Sequence, residues 1–593
     1  MDGTKRNMST LNMGVRRLNQ IKRLYEFTIG QRSLLIFGAL LSLIAVGLNL
    51  FGPFILKIIL DNYLVKDNIV VKGIVIMLLV YLLVEITNGL VAYYSKIITL
   101  KAGSKVIQNI RLKVFRHIQK LPVRYFDNLP AGKVVARITN DTETILTVFT
   151  QVLSQLITSG FTIIGVVIAS FIVNVYAGLL MLLILPVLFL WLYLYRKASN
   201  KYNMIKREKN SEMNASINES ISGMSVIQAF NNEDKVFNEF LKLNEDYYES
   251  SVRLSRLNAL TNTNLIESLK SVVLMFLIFV FSYMFLFQNT TWSIGSMYLM
   301  IDYAGKIMMP LYGIIGVFDV IEQARVATNK VYELLDEEEE KEDTGELKIF
   351  NGNIEFKDVN FSYVKGHPVL NDINFKVNQN ETLALVGHTG SGKSSIINLL
   401  MRFYDPDSGE ILFDGVDTKT INKQSMRKHT AIVLQDPYIY NGTLLYNIRL
   451  GNESITEKEA KDALISVGGE MILERFENGI HEELIESGST LSLGERQLIS
   501  FARALAFKPT LLILDEATSN VDSETEQLVQ KAMKIVSSNR TTVIIAHRLS
   551  TIQHADQILL LDKGNIVESG NHQALIAKDG KYKEMYYKQV MKK

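Results

Sequence analysis

Residues 387–394 read GHTGSGKS and fit the pattern G-x-x-x-x-G-K-[ST]. In this pattern the glycines let backbone N–H groups turn toward phosphates, the lysine reaches the outer phosphates, and the last hydroxyl can ligate Mg²⁺. The stretch follows the apolar run TLALVG and precedes the apolar run SIINLL, as a strand, a loop and a helix would. We therefore predict that a nucleoside triphosphate binds at Gly387, His388, Thr389, Gly390, Ser391, Gly392, Lys393, Ser394 and Ser395.

A second stretch, TLLILDEATSNVD, places two carboxylates at the end of an apolar strand. Phosphoryl transfer to water needs one carboxylate for Mg²⁺ and one that orients or activates the attacking water. Asp515 and Glu516 lie about 120 residues after the phosphate-binding loop and suit these two roles. The phosphate-binding loop followed by these two carboxylates therefore predicts an ATPase, which hydrolyses the nucleotide as well as binding it.

A third stretch, LSLGERQLIS, has the composition of a helix start that can accept an anion. Ser492 and Gly494 precede an amphipathic run, while Leu493 occupies a position where a second glycine would be expected. Glu495 falls in the first turn, where a carboxylate suits the helix dipole but would repel a phosphate if it pointed inward.

Together these motifs resemble the ATP-binding cassette family, and the resemblance covers nearly the whole chain. The family's elements stand in the family's order: the aromatic of FSY, the phosphate-binding loop, VLQDP, the signature stretch, the strand carboxylates, SNVD and IIAHRLST. The resemblance implies that Tyr363 stacks on adenine, Gln435 meets the metal and the attacking water, and His547 contacts the γ-phosphate. It also implies Glu516 as the catalytic base, and it assigns Asp522 to the loop that follows the strand.

The family's signature usually reads L-S-G-G-Q and embraces a γ-phosphate bound by the other subunit. Here Leu493 replaces the first glycine and Glu495 replaces the glutamine. Variant signatures of this kind occur in half-transporters that pair with a different chain. Because Glu516 and His547 are present, the chain resembles the catalytically competent half of a bacterial heterodimeric exporter, with a homodimer as the rival assembly.

The elements that precede the cassette are those of a membrane protein. Ser33–Leu56 is uncharged and long enough to cross a hydrocarbon core of ~30 Å as a helix. Thr144–Tyr195 is also uncharged and, at about 78 Å if helical, must make two crossings with a turn near Asn174. With an apolar stretch at 73–95 and two further helices separated by QNTTW at 288–292, we predict six crossings.

Basic residues decide the predicted orientation. The long connections 101–143 and 196–260 are rich in Lys and Arg, whereas the connections at 62–69, 174 and 288–292 carry almost none. Lys and Arg accumulate on the cytoplasmic side, so both termini are predicted to be cytoplasmic in a multi-pass protein of the bacterial cell membrane. YFDNLPAGKVVARITND and ESISGMSVIQAFNNED resemble the family's connections that transmit motion from the cassettes to the membrane helices.

Three ionisable residues, Glu85, Asp302 and Lys306, are predicted at membrane depth. A charge there usually faces a cavity or a partner. Asp302 and Lys306 are four residues apart, so they could neutralise each other on one helix face. Alternatively, Asp302, Lys306 and Glu85 are candidates for contact with the substrate.

The predicted fold is a six-helix transmembrane domain of the exporter type fused to an α/β P-loop nucleotide-binding domain with an antiparallel β subdomain and a helical subdomain. The predicted boundaries are 1–332 for the membrane domain, 333–345 for an acidic, solvated linker, and 346–593 for the cassette. A net charge of +2 argues against a nucleic-acid binder, and the lack of cysteine excludes disulfides and thiol chemistry.

The predicted function is an ATP- and Mg²⁺-dependent exporter that moves amphipathic compounds such as drugs by alternating access, as one half of a dimer in contact with membrane lipid. A lipid flippase and a peptide exporter are alternatives within the family. A nucleotide-gated channel or sensor is an alternative of another class, which an intact Glu516 disfavours because a gate without turnover needs no hydrolytic base.

Overall fold

The computed structural model describes residues 26–64, 71–127, 129–261, 263–287, 293–340, 344–485, 488–515, 523–546 and 549–590. Apart from these gaps, the chain forms two compact units. The first comprises Met1–Lys120 and Leu129–Glu338, and the second comprises Leu121–Asn128 and Glu339–Lys593. A short segment of the first long basic connection therefore belongs with the cassette half of the sequence.

The first unit is helical. In chain order, the helices up to residue 335 are α1 Arg32–Ile59, α2 Val71–Ile118, α3 Val123–Asp127, α4 Ala131–Ala136, α5 Thr142–Thr147, α6 Ser154–Val173, α7 Val175–Ser222, α8 Met224–Ala229, α9 Glu233–Thr261, α10 Thr263–Phe287 and α11 Ile294–Leu335. Of these, α3 belongs to the second unit and the others belong to the first. π-helical turns at Arg137–Asp141 and Val148–Leu153 join α4, α5 and α6 end to end.

The predicted turn near Asn174 is confirmed. Asn174 has an extended backbone between α6 and α7, and its side chain accepts a hydrogen bond from the Tyr176 backbone N–H at 2.8 Å, capping α7. Past their apolar stretches, α7 continues to Ser222 and α2 continues to Ile118, so both long basic connections begin as extensions of apolar helices.

Four helical stretches of the described residues are long and apolar enough to cross a membrane: Ile29–Leu64, Val71–Ile118, Gly132–Val173 and Val175–Ser222. They correspond to the first four predicted crossings. The fifth and sixth predicted crossings fall on α10 and α11, and the QNTTW turn between them lies outside the described residues. The count of six therefore stays a prediction.

The core of the first unit is apolar where α1, α6, α7, α10 and α11 meet. Val166 of α6, Met181 of α7 and Leu299 of α11 are fully buried in one cluster. Tyr303 donates a hydrogen bond from its hydroxyl to the Leu50 carbonyl at 2.9 Å, so the one polar group of a buried ring is satisfied across α11 and α1.

The second unit contains two main sheets. The strands are β1 Ile354–Phe361, β2 Leu370–Val377, β3 Thr382–Val386, β4 Ser408–Phe413, β5 Val416–Asp417, β6 Thr430–Val433, β7 Gly442–Thr443, β8 Glu483–Leu484, β9 Leu511–Asp515, β10 Thr541–Ile545, β11 Gln557–Asp562 and β12 Asn565–Gly570. One sheet has the order β2-β1-β4-β5 and is antiparallel, as the alternating sequences of β1 and β2 predicted. The other has the order β12-β11-β3-β10-β9-β6.

Helices cover the larger sheet and form a separate helical region. They are α12 Lys393–Leu400, α13 Lys423–Arg427, α14 Leu444–Arg449, α15 Glu457–Ser466, α16 Glu470–Arg475, α17 Leu493–Ala506, α18 Ser523–Ser537, α19 His572–Ala577 and α20 Lys581–Val590. Strands β3, β9, β10 and β11 have buried side chains on both faces, and two hydrophobic clusters lie on the two sides of this sheet. Near-continuous apolar strands of this kind are typical of parallel sheets covered on both faces.

Candidate nucleotide site and membrane cavity

The site begins at one edge of the larger sheet. Strands β6, β9, β10 and β3 are mutually parallel neighbours, and their register pairs Val433 with Leu514, Asp515 with Ile545, and Ile545 with Leu385. Because the carboxyl ends of parallel strands meet at one edge, the loops that follow these strands gather there. The phosphate-binding loop follows β3, Gln435 follows β6 by two residues, and Asp515 is the last residue of β9.

The loop between β3 and α12 adopts a backbone that glycine permits. Gly390 and Gly392 have φ of 81° and 106°, and Gly387 has a φ of 154°. A Cβ at Gly387 would lie 2.3 Å from the Leu561 carbonyl oxygen, so only glycine fits there. The loop ends with Gly392 as the N-cap of α12, and no side chain caps this helix start.

Two observations on the polar groups of the loop support binding of a triphosphate. The buried Ser391 Oγ has no hydrogen-bond partner within the described part of the chain. The Lys393 ammonium donates to the carbonyl oxygens of Gly387 at 2.7 Å and His388 at 3.0 Å, which keeps its charge over the loop. Uncapped N–H groups, an orphaned hydroxyl and a lysine at one helix start form an anion site. Ser394 is exposed in the first turn of α12, so its hydroxyl is accessible to a metal ion.

Tyr363 lies beside this helix. Its hydroxyl donates to Ser395 Oγ at 3.2 Å and accepts from the Asn398 side-chain amide at 2.8 Å. The ring is nearly half exposed, with its edge against Phe361. The hydrogen bonds hold the aromatic residue next to the phosphate-binding loop, with ring surface accessible to a base.

A chain of contacts leads from Tyr363 to the short helix α3. The rings of Tyr363 and Tyr404 are perpendicular, with centroids 5.0 Å apart, and the Tyr404 hydroxyl donates a short hydrogen bond to the Asp127 carboxylate. Burial, followed by the bond to Asp127, raises the pKa of Tyr404, so the phenol stays protonated and continues to donate at neutral pH. The first connection predicted to transmit motion is therefore joined to the phosphate-binding helix through two tyrosines.

The signature stretch forms the start of α17. Ser492 is the N-cap, and its hydroxyl oxygen accepts from the Glu495 N–H at 3.2 Å while Glu495 Oε2 accepts from the Ser492 N–H at 2.7 Å. This reciprocal pair is a capping box. The second oxygen of Glu495 forms an ion pair with Arg475 at 2.6 Å, and Glu495 is only 14% exposed.

These contacts decide where the carboxylate of Glu495 points. Both of its oxygens are engaged, one by the helix's own N-cap backbone and one by the guanidinium of Arg475 at the end of α16. The sequence left open whether this carboxylate points toward the phosphate. In the structure it is held by Arg475, which also donates to the Thr490 carbonyl at 3.4 Å.

Sequence reasoning missed Arg475 and Tyr404. Arg475 stands 20 residues before Glu495 with no periodic relation to it, and Tyr404 pairs with a residue 277 positions away. No local pattern signals either contact. Asp127 lay within a stretch already singled out, but its partner did not.

Three residues with predicted roles lie outside the described residues: Glu516, Asp522 and His547. The sequence neighbours of Glu516 and His547 do lie at the site edge, since Asp515 ends β9 and Ala546 directly follows β10.

The predicted acidic linker is corrected in two places. Its first three residues are helical, because α11 runs to Leu335. Glu340, predicted to be solvated, is only 24% exposed and pairs with Lys423 at 2.8 Å and Arg427 at 3.7 Å. The two cations of α13 explain the difference, because they draw the carboxylate onto the surface of the second unit.

The first unit contains a cavity of about 710 Å³ lined by helices α1, α2, α6 and α11 and by the turn before α6. Hydroxyl and amide side chains dominate the lining, with apolar contributions from Ala45 and Val46. Two lysines, Lys96 and Lys306, also line it. The exposed surface of the lining is mostly apolar, and a charged side chain in a membrane domain is expected to face such a cavity rather than lipid.

The predicted pair of Asp302 and Lys306 is confirmed, with 3.6 Å between the charged atoms. Lys306 also donates hydrogen bonds to the backbone and side-chain oxygens of Asn49, both at 2.7 Å. Lys306 lines the cavity, whereas Asp302 and Glu85 are absent from the part of its lining that the structure describes. Glu85 instead lies against Gly52 of α1, where a Cβ would come within 2.8 Å of its carboxylate.

Comparison with known proteins places both halves of the chain in one family. A family model described as "ABC transporter transmembrane region" matches residues 35–311, and one described as "ABC transporter" matches residues 370–519.

Individual relatives cover most of the chain. The chain is 47% identical over 518 residues to a probable multidrug resistance ABC transporter ATP-binding/permease protein, YheH, of Bacillus subtilis, covering 87% of this chain and 77% of that protein. It is 38% identical over 569 residues to a putative ABC transporter ATP-binding protein, exp8, of Streptococcus pneumoniae, covering 95% and 96%. A solved structure of a bacterial Atm1-family ABC exporter with ATP bound matches with a TM-score of 0.78 at 26% identity, covering 94% of this chain and 99% of that one.

Proposed function

Because this chain belongs to the ABC transporter family and is an ATP-driven exporter, whose ATPase is coupled to transport, we propose that it acts as one half of a heterodimer that exports amphipathic compounds by alternating access. The proposal adds the assembly, the residue roles and the substrate class to the family assignment.

The observation that carries the proposal is the contact chain from Asp127 through Tyr404 and Tyr363 to Ser395. Ser395 lies in the first turn of α12, the helix that receives the phosphates. A change in the position of α12 on binding or losing ATP is therefore felt at α3, which is part of the connection between two long helices of the first unit. Packed side chains with hydrogen bonds at both ends are the kind of contiguous network that can carry such a change.

The nucleotide roles follow from the positions of the side chains. The loop Gly387–Ser395 and Tyr363 bind ATP, with Lys393 on the outer phosphates and the adenine against the exposed ring face of Tyr363. Ser394, Gln435 and Asp515 supply the oxygen ligands that suit Mg²⁺, and all three lie at the same sheet edge or on the helix that starts there. Glu516 acts as the general base, with His547 near the γ-phosphate and Asp522 in the following loop.

A single chain carries one phosphate-binding loop and one signature, so two chains are needed for two complete sites. The residues Ser492, Leu493, Gly494 and Glu495 of one chain then close the ATP held by the other. The short helix α8 supports a second chain on independent grounds. Met224 and Val226 of α8, and Phe230 directly after it, are exposed apolar side chains at the turn of the second long connection. Such a tip suits docking on the cassette of a partner.

We favour a heterodimer over a homodimer because of Leu493. A side chain at this position lies where close approach to a phosphate normally requires glycine, and an intact Glu516 makes this chain the donor of the competent carboxylate. In a homodimer both sites would carry the Leu493 substitution, whereas in a heterodimer a partner with glycine there completes one unhindered site.

In the membrane, we propose six crossings with both termini in the cytoplasm. α10 and α11 supply the fifth and sixth crossings, in line with the basic residues of the two long connections. The substrate binds in the cavity of about 710 Å³, where apolar surface and a belt of hydroxyl and amide groups suit an amphipathic molecule. Lys306 contacts the substrate there, while Asp302 balances its charge and Glu85 acts only through packing.

Transport by the assembled protein tests the proposal. The tagged chain is purified from its own host, identified together with any companion chain by mass, and reconstituted into liposomes. We expect a companion half-transporter, ATP hydrolysis, and ATP-dependent uptake of a fluorescent amphiphile into vesicles with outward-facing cassettes. A stoichiometric assembly of this chain alone with full transport would overturn the heterodimer. ATP-gated ion current without amphiphile uptake would overturn the exporter mechanism.

A further inference from the structure

A second cavity of the first unit, of about 500 Å³, lies between α7, α9 and α11. It shares no lining residue with the larger cavity. Its character is set by arginine, asparagine and aromatic side chains, and nothing in the transport cycle described above uses it.

Arg196 is the central group of this cavity. Its guanidinium carbon lies 3.9 Å from the centroid of the Phe318 ring, which is a stacked cation–π geometry. Within the described part of the chain, Arg196 forms no ion pair. Stacking on a ring fixes the guanidinium plane and leaves its N–H donors free around the edge, which is the arrangement that recognises carboxylate or phosphate oxygens.

The neighbouring polar groups are oriented by one another. The Tyr195 hydroxyl donates to the Asn258 side-chain oxygen at 3.0 Å, so the amide N–H₂ of Asn258 is left as a donor. The Asn203 amide donates to Ser199 Oγ at 3.1 Å. All four side chains line the cavity, and Tyr195 and Ser199 are buried.

The charge of the lining is positive. Arg196 and Arg207 contribute two cations, and Glu322 is the one carboxylate among the described lining residues. Two bonds from Arg325, at 2.6 Å and 3.1 Å, already neutralise Glu322. An anion that enters therefore meets the guanidinium of Arg196 without an uncompensated carboxylate beside it.

The position of the cavity along the helix indicates which anions can reach it. Arg196 is the first charged residue after the uncharged run Thr144–Tyr195, so it marks the end of the hydrocarbon-spanning part of α7. Trp191 and Tyr195 stack with ring centroids 5.7 Å apart just before it. Aromatic residues followed by basic ones are typical of the membrane–water boundary, where lipid phosphates lie.

We propose that this cavity binds a phosphate-type oxyanion at the cytoplasmic boundary of the membrane, with Arg196 stacked on Phe318 as the main receptor. The headgroup of an anionic lipid and free inorganic phosphate present the same chemistry, and the experiment separates them. The site is distinct from the nucleotide loop and does not depend on the proposed partner chain.

The first arm measures lipid retention. The full-length protein is reconstituted in nanodiscs of phosphatidylcholine and phosphatidylglycerol in equal amounts, and the lipids that remain bound after release into detergent are weighed by native mass spectrometry. We expect the wild-type protein to retain about tenfold more phosphatidylglycerol than phosphatidylcholine, because one charge-assisted contact to the headgroup is worth roughly this factor in affinity. Arg196→Gln should abolish the preference, and Phe318→Leu should reduce it while every charge stays in place.

Lys197→Gln is the matched control, because Lys197 is the next residue along α7 and is exposed outside the cavity. It removes the same charge at the same depth and should leave the preference unchanged. If Lys197→Gln and Arg196→Gln lose the preference equally, general surface electrostatics explains the retention and the site is overturned.

The second arm uses inorganic phosphate at millimolar concentration with protein in pure phosphatidylcholine nanodiscs, read as the shift in thermal unfolding midpoint relative to chloride at equal ionic strength. A shift that Arg196→Gln removes and Lys197→Gln keeps, without lipid preference in the first arm, assigns the site to a free anion. Neither lipid preference nor a phosphate shift overturns the proposal.

Discussion

Two helix starts in the same unit, both proposed to contact phosphate, are built in different ways. At α12 the N-terminus is left open by glycine backbone, with Gly392 as an N-cap that offers no side chain. At α17 the N-terminus is closed on itself, because Ser492 and Glu495 form a capping box and Arg475 holds the free oxygen of Glu495. The start of α12 is open because glycine has no side chain that could cap it. The start of α17 depends instead on the side chain of Arg475, which comes from α16.

This difference assigns different tasks to the two sites. The N–H groups at the start of α12 have no competitor, so phosphate binding there needs no rearrangement of the helix cap. At α17 the Glu495 N–H is already used, and the hydroxyl hydrogen of Ser492 together with the N–H groups of Leu493 and Gly494 remain for an incoming phosphate. In the proposed dimer, the signature of one chain therefore completes the site of a nucleotide that the phosphate-binding loop of the other chain already holds.

The largest expected effect is at the open helix start. Lys393→Ala removes the ammonium that neutralises the outer phosphates, and we expect ATP hydrolysis to fall by roughly 100-fold or more, as for the loss of a main electrostatic group in a site. Steady-state phosphate release from the reconstituted protein measures it. Lys365→Ala, at an exposed turn of the same unit, is the control; equal rates for Lys393→Ala and wild type would remove the loop from catalysis.

Removing the proposed base should separate binding from turnover. Glu516→Gln keeps the size of the side chain but cannot accept a proton, so we expect hydrolysis to fall about 100-fold with ATP affinity nearly unchanged. Binding of a fluorescent ATP analogue and phosphate release, measured on the same preparation, give the two values. Undiminished hydrolysis would show that another group acts as base.

At the self-capped helix start, Arg475→Gln should lower hydrolysis of the ATP that this signature closes, which the partner chain holds, about tenfold. The carboxylate of Glu495 then loses its cation and repels the phosphate. The double variant Arg475→Gln with Glu495→Gln should recover most of the rate, since glutamine still fits a capping box and carries no charge. The lack of recovery would mean that Arg475 supports the fold of α16 rather than the charge balance of the signature. Glu495→Gln alone should change the rate least of the three.

A smaller effect is expected at the contact between Tyr404 and the short helix α3. Tyr404→Phe keeps the ring against Tyr363 but removes the hydroxyl that donates to Asp127. We expect basal hydrolysis to stay within about twofold of wild type, because this hydroxyl lies outside the nucleotide site. Stimulation by a transported amphiphile should be lost with the hydrogen bond to the Asp127 carboxylate, since a bond to a charged group is worth roughly 1.5–3 kcal/mol. Tyr438→Phe, an exposed tyrosine of the same unit, is the control. Unchanged stimulation in Tyr404→Phe would remove this tyrosine from coupling.

The same contrast explains what the sequence could predict. The phosphate-binding loop is local, since its glycines, lysine and flanking apolar runs are contiguous, and so are the alternation of β1 and β2 and the turn at Asn174. The orientation of Glu495 depends on Arg475, and the link to α3 depends on Tyr404, both of which meet their partners only through the tertiary fold. The prediction that Glu340 is solvated was wrong for the same reason, because the cations that bind its carboxylate lie about 80 residues further along the chain.

The membrane unit shows a similar limit. Hydropathy located the first four crossings, because each is a long apolar run. The spacing of Asp302 and Lys306 predicted that they form a pair. The contact of Lys306 with Asn49 could not be predicted in this way, because Asn49 lies on a different helix.

The central claim is that ATP is hydrolysed only between two chains, and the most direct test is the composition of the trapped complex. The Glu516→Gln protein, purified with its companion from the host and incubated with ATP and Mg²⁺, is analysed by native mass spectrometry. The account predicts two half-transporter chains that retain two nucleotides, and loss of that species when Lys393→Ala is added. Two results together would contradict it: single chains that retain ATP, and hydrolysis by the wild-type protein that stays undiminished at dilutions where only single chains remain.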